Sequence, residues 1–339
     1  MKSNMKCESC KIREIEVELP KYEGAEDDGV KPYYLCFECK NRLENYALRP
    51  LEFFNLAVIH GLGCYLHDDF YDWDTGEASQ YLNVIDSEKF PFPTFDEVKG
   101  DLNRLIDYSF VQYDTDAIVI EQLQKFDKAE VLDIIDQRVK YNDSIANKAY
   151  EIVSYVLGKA AYTWAKEQWD NRRKGYSITY YAELISNCFE FEEAFEVIKS
   201  EIEKSDDKTF NDDILSFLYL RNEKTLDWLE TKTERLKTVM WNSSFGQLAA
   251  SSRFSWQRCE KWLSMGRPLS LIALDALYLC TTKNFTNQSS LLRKHKPTLT
   301  DNIKPDIIAD RLHEYLIIDS VPRTTKIVGM IINNLFETT

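Results

Sequence analysis

Four cysteines near the start of the chain carry its clearest chemistry. They read Cys7-x2-Cys10, then 25 residues, then Cys36-x2-Cys39. A C-x-x-C turn sets two thiolates on one side of a tight knuckle. Two knuckles complete the closed tetrahedral four-thiolate arrangement of structural zinc. The expected cofactor is one structural Zn²⁺ with no open coordination position, hence without a catalytic role. The same ligands also suit rubredoxin-like iron. Two disulfides are the alternative in an oxidising compartment.

A second group of candidate ligands is His60, His67, Asp68, Asp69, Asp72 and Asp74. Imidazole and carboxylate together suit zinc or a transition metal with an open position, and a metal-activated water there would serve hydrolysis. No H-E-x-x-H spacing is present, and Asp72-x-Asp74-x-Gly76 is only a fragment of a calcium loop. An acidic loop that caps a helix or meets a partner is the simpler reading. Arg293-Lys294-His295-Lys296 is a basic run that suits either phosphate or the last turn of a helix before Pro297; the cap is favoured. Cys64, Cys188, Cys259 and Cys280 lack partner spacing and read as small buried hydrophobes. Tyr162, Trp164, Trp169, Tyr176, Tyr180 and Tyr181 crowd one region and read as helix packing rather than an exposed hot spot. There is no P-loop, G-x-G-x-x-G or G-x-S-x-G. No catalytic residue is assigned.

The first four cysteines need elements to hold them. Between the knuckles, Ile15 to Leu19 alternates apolar and acidic, as a strand does, and Pro20 ends it. Tyr33-Tyr34-Leu35 leads into the second knuckle. The result is a hairpin with a knuckle at each end, too short for a core of its own and dependent on a metal clip. This stretch, KCESCKIREIEVEL followed by YYLCFECKNRL, resembles a zinc ribbon. It is similar to the N-terminal zinc module of protein-arginine kinase activators, which also read C-x-x-C, a strand, then L-C-x-x-C before a helix. The resemblance implies metal binding over about 40 residues. It does not extend past Leu43, so kinase regulation is not implied.

Beyond it the chain reads as helix. Gly and Pro are scarce, 11 and 9, which disfavours an all-β fold. Pro50 opens an apolar helix through His60, which Gly61 and Gly63 interrupt. Helical periodicity marks 95–110, 129–139, 146–169, 180–189, 192–202, 307–318 and 325–335. In 211–280, Ile214, Leu220, Thr225, Trp228 and Leu229 match Leu248, Phe254, Cys259, Trp262 and Leu263 at an offset of 34. Paired helices at that period resemble HEAT-type repeats. The expected fold is mainly α: an irregular HEAT-like solenoid or helical bundle with a small zinc-ribbon hairpin. The expected domains are 1–48, a linking helix and acidic aromatic loop at 49–93, and a helical body at 94–339.

The net charge is −14, of which about −1 falls in residues 1–49 and −13 in the rest. An acidic body repels a phosphate backbone and favours encounter with a basic protein. The expected function is non-catalytic binding of a macromolecule, foremost a basic protein such as a toxin or nuclease to be neutralised. Nucleic acid is the alternative partner, with Lys2, Lys6, Lys11, Arg13, Lys40 and Arg42 as contacts. The third reading is a metal-dependent hydrolase at His60 to Asp74. The start of the chain lacks the apolar run of a signal peptide, and no apolar stretch approaches membrane-spanning length. Eight cysteines in such a chain suggest reduced thiols, so a cytoplasmic location is expected and a membrane partner is not.

Overall fold

A computed structural model describes residues 5–21, 29–45, 47–61, 93–112, 115–172, 177–238, 244–283 and 296–336. The only sheet among them is one antiparallel pair, β1 (Val17–Leu19) and β2 (Tyr33–Leu35), in the register Val17↔Leu35, Glu18↔Tyr34, Leu19↔Tyr33. The rest is dominated by helices, so the mainly α expectation holds. The chain forms two compact units, Met1–Thr163 and Trp164–Thr339.

The first unit carries α1 (Phe37–Glu44), α2 (Pro50–His60), α3 (Phe95–Val98), α4 (Leu102–Phe110), α5 (Ala117–Leu123), α6 (Lys128–Tyr141) and α7 (Ala146–Val156). Helix α8 (Tyr162–Asp170) begins at the boundary. In α2, proline stands in the first turn, Glu52 reaches back to the Arg49 amide at 3.1 Å, and Gly61 closes the helix at φ 62°. Each is what a helix end needs: proline forfeits an amide that has no intrahelical partner, the carboxylate satisfies another, and glycine takes the left-handed turn at no Cβ cost.

Two long helices expected from periodicity are broken. The 95–110 segment is α3 and α4, because Asp101 leaves the helix and caps α4 through the Arg104 amide at 3.1 Å. The 146–169 segment is α7 and α8, because Gly158 takes φ 52° within a 3₁₀ turn, Gly158–Ala161. Apolar periodicity runs through both breaks since both halves bury the same kind of face; the polar cap and the glycine interrupt the backbone without interrupting the pattern.

The second unit carries α9 (Ala182–Cys188), α10 (Phe191–Lys204), α11 (Phe210–Asp213), α12 (Lys224–Glu230), α13 (Thr233–Thr238), α14 (Ser244–Ser251), α15 (Trp256–Met265), α16 (Leu269–Thr281), α17 (Pro305–Ile318) and α18 (Pro322–Phe336). A 3₁₀ segment, Ile214–Tyr219, precedes α12. Of the residues matched at offset 34, Ile214, Thr225, Trp228 and Leu229 are buried, as are all of their counterparts. Each tryptophan also donates its indole N–H to a carboxylate, Trp228 to Glu203 at 3.2 Å and Trp262 to Glu230 at 2.7 Å. Those two glutamates are not themselves 34 residues apart, so the sequence offset misses them.

Trp164, Trp169 and Tyr181 are buried, as the packing reading expects, whereas Tyr180 is exposed. Trp169 lies edge-on to Tyr181 with centroids 5.5 Å apart. Tyr176 is outside the described residues. Cys188 and Cys259 are fully buried and Cys280 is partly so. Burial pushes the Cys188 and Cys280 thiols up to about 12, which makes them poor nucleophiles. Cys64 is outside the described residues. No described helix is long and apolar enough to cross a membrane.

Candidate metal centre

The first knuckle is a tight hairpin. The Cys7 amide donates to Arg13 O at 2.7 Å, the Lys11 amide donates to Cys7 O at 2.9 Å, and Lys11 takes a left-handed φ of 58°. A bridge between Lys6 and Glu14 closes it. The second knuckle is the start of a helix. Cys36 is the N-cap of α1, and its sulfur accepts from the Cys39 amide at 3.5 Å. The β1–β2 pair joins the knuckles, helped by Glu8 N to Tyr34 O and Glu16 N to Leu35 O, both 2.9 Å.

Folding therefore brings Cys7, Cys10, Cys36 and Cys39 together, with all four sulfurs within 4.8 Å of one another. A tetrahedral site with metal–sulfur bonds near 2.3 Å has a sulfur–sulfur edge of about 3.8 Å, so small side-chain adjustments suffice. Cys7, Cys36 and Cys39 are buried. The thiols oppose one another: hydrogen bonding from Cys39 holds Cys7 down at about 5, and that same bond pushes Cys39 up. Burial raises Cys36. A cluster in which one thiolate forms easily and the next is resisted is relieved by a central cation. The donor set fits a metal ion, and it is the only such group among the described residues.

The cysteines do not stand apart from the helical unit. Cys7, Cys36 and Cys39 share one apolar cluster with Leu35, Leu43, Phe53, Leu56, Ala57 and Val111. Polar groups fix the docking. Ser9 Oγ donates to Glu52 O at 3.2 Å, and Asn55 Nδ2 donates to Ser9 O at 2.7 Å. Arg42 and Arg49 both pair with the buried Glu52 carboxylate.

Beside the centre lies a group that the sequence reading missed. Glu8, inside the first knuckle, is buried and accepts three hydrogen bonds, from His60 Nε2 at 2.8 Å, the Tyr34 amide at 3.0 Å and Tyr141 OH at 2.8 Å, and it forms an ion pair with Lys31 Nζ at 3.1 Å. Burial alone would raise its pKa; His60, the Tyr34 amide and Lys31 overcome that and hold it at about 2. Burial pushes His60 down against the pull of Glu8. A neutral imidazole donating from Nε2 fits, with the Glu8 charge balanced by Lys31. That tautomer makes Nδ1 the acceptor, and it has no hydrogen-bond partner among the described residues. Nothing in the spacing of Glu8, Lys31, His60 and Tyr141 signals this cluster, because only the tertiary fold joins the knuckle, α2 and α6.

His60 thus faces Glu8, while His67, Asp68, Asp69, Asp72 and Asp74 lie outside the described residues. Of the basic residues suggested as nucleic-acid contacts, Arg13 pairs with Glu38, Lys40 with Glu44, and Arg42 with Glu38 and Glu52. No family model, curated protein or solved structure matches this chain.

Proposed function

We propose that the chain is a non-catalytic helical scaffold, clipped at its N-terminus by one structural Zn²⁺ on Cys7, Cys10, Cys36 and Cys39, that binds a basic protein. Four thiolates in a closed, mostly buried cluster favour zinc held for stability, with no position left for substrate. None of the seven described cysteines is in a disulfide, which suits a reducing compartment such as the cytoplasm. Trp228 and Trp262, buried 34 residues apart, support the HEAT-like reading of 211–280.

The surface at the end of α17 carries the partner reading. Ile317 and Ile318 are 86% and 74% exposed, and Ile307 and Val321 are also open. The same stretch holds the exposed Asp306 and Asp310, while Glu314 pairs with Arg311 and Asp319 with Arg267. An apolar ledge edged by carboxylates suits a partner that offers an apolar anchor within a basic surface. A cationic nuclease or toxin has that chemistry. The ion pairs at Arg13, Lys40 and Arg42 weigh against nucleic acid at the metal module, since those cations already have carboxylate partners.

A photo-crosslinking residue at Ile317 tests the reading. The expected product is a discrete adduct with a basic protein, weakened by salt and lost when Ile318 becomes Asp. Adducts only with acidic proteins, or capture indifferent to Ile318→Asp, would overturn it.

A further inference from the structure

Most arginines and lysines of the second unit sit against carboxylates. Arg258 meets Asp227 and Glu230, Lys232 meets Glu203, Arg235 meets Asp207, and Arg267 meets Asp319. One cleft gathers cations instead. A cleft of about 340 Å³ is lined by Arg221, Arg253 and Lys296, together with Ser251, Thr298 and Thr300, and among the described residues no carboxylate lines it. Among the described residues, neither Arg253 nor Lys296 has an ion-pair partner. In a chain of net charge −14, three cations lining one cleft are unexpected on solubility grounds alone.

The backbone holds these groups in place. Arg221 and Arg253 follow the first helical segment of successive helix pairs, Ile214–Tyr219 and α14, and both take left-handed φ values, 48° and 59°. Long side chains rarely adopt that conformation, and such residues concentrate at functional sites. Lys296 is brought in by a strap. The Thr300 amide donates to Phe254 O at 3.0 Å, and Asp301 accepts from the Trp256 and Gln257 amides at 2.6 and 3.1 Å. Asp301 thereby spends its charge on the start of α15, away from the lining of the cleft. Ser251 Oγ is buried there without a hydrogen-bond partner. The basic run noted in the sequence ends at Lys296, so its last residue belongs to this cleft; Arg293 to His295 lie outside the described residues.

We propose that this cleft binds the phosphate group of a small phosphorylated molecule of mononucleotide size. Guanidinium groups match phosphate oxygens in a bidentate fork, lysine adds a point charge, and hydroxyls satisfy the remaining oxygens. The volume exceeds a bare phosphate and falls at the lower end of the range for small-molecule sites, which leaves room for a sugar or a similar body. The site is independent of the zinc centre and of the proposed protein-binding ledge.

Titration calorimetry at low salt with adenosine 5′-monophosphate as the probe tests it, with adenosine as the phosphate-free control and a single-stranded decanucleotide as the polymer arm. The expected result is saturable binding of the monophosphate, none of adenosine, and at least a tenfold loss in both Arg253→Glu and Lys296→Glu. Lys208→Glu, an exposed charge change away from the cleft, should bind as the parent does. Thermal midpoints establish that each variant is folded, and Lys296→Glu serves if Arg253→Glu is not. Four results overturn the proposal: no monophosphate binding at millimolar concentration, equal binding of adenosine, equal loss in Lys208→Glu, or binding of the decanucleotide alone.

Discussion

His60 Nε2 lies 2.8 Å from the carboxylate of Glu8, 52 residues earlier in the chain, and both side chains are buried. This contact locks the first cysteine knuckle onto the end of α2. Apolar packing, the contacts of Ser9, Asn55 and Glu52, and the hydrogen bond from Tyr141 to Glu8 add to it. The metal centre and the first helical unit are therefore one cooperative structure.

Replacing Glu8 by Ala is expected to destabilise the first unit by about 3–5 kcal/mol, because it leaves the buried His60 and the Lys31 ammonium without their carboxylate partner. Urea unfolding of the zinc-loaded protein measures this. Metal content should stay at one per chain, which separates loss of docking from loss of the ion. A change below about 1 kcal/mol would mean that the cluster contributes little.

Cys7→Ser and Cys36→Ser should each abolish stoichiometric zinc, read by elemental analysis of the purified chain. Structural zinc in small peptides contributes roughly 10–16 kcal/mol apparent, so the knuckles should lose amide-exchange protection. The second unit should keep its helical signal, since the described residues of the cysteines' apolar cluster all belong to the first unit. A second bound metal that survives both substitutions would revive the hydrolase reading at His67 to Asp74.

Gly246→Ala should destabilise, although alanine ordinarily gains about 1 kcal/mol over glycine within a helix. A Cβ at Gly246 would stand 2.5 Å from the Cβ of Asp275, where α14 crosses α16. Overpacking of this kind costs typically about 1–3 kcal/mol. A thermal midpoint at or above that of the parent would show that the crossing can open at little cost.

Glu230 gives a pH test. Burial pushes its carboxyl up, but Lys261, Trp262 and Arg258 outweigh that and hold it below the ordinary glutamate value. A depressed folded pKa means stabilisation that is complete above the unfolded value of 4.5 and is lost as pH falls through the folded value. The stability gap between the parent and Glu230→Gln should thus be constant near neutrality and narrow in acid. Chemical denaturation across that range measures it; a gap that widens in acid would reverse the sign.

The four cysteines were legible in the sequence because metal ligation imposes spacing directly on neighbouring residues. Strand and helix patterns were legible because burial repeats with the backbone period. Thus the β1–β2 hairpin, α2 from Pro50, and the buried faces around Trp228 and Trp262 could be read locally. Helix breaks at Asp101 and Gly158 were harder, since the apolar period continues across them.

The sequence by itself determined the two cysteine knuckles, the mainly helical class and the acidic character of the body. Tertiary structure alone set His60 Nε2 against the carboxylate of Glu8. It alone gathered Arg221, Arg253 and Lys296 into one cleft, and left Ile317 and Ile318 outside. The physical reason is range. Ligand spacing and amphipathic periods are written within a few turns of chain, whereas ion pairs, clefts and exposed ledges depend on which distant segments the packing brings together.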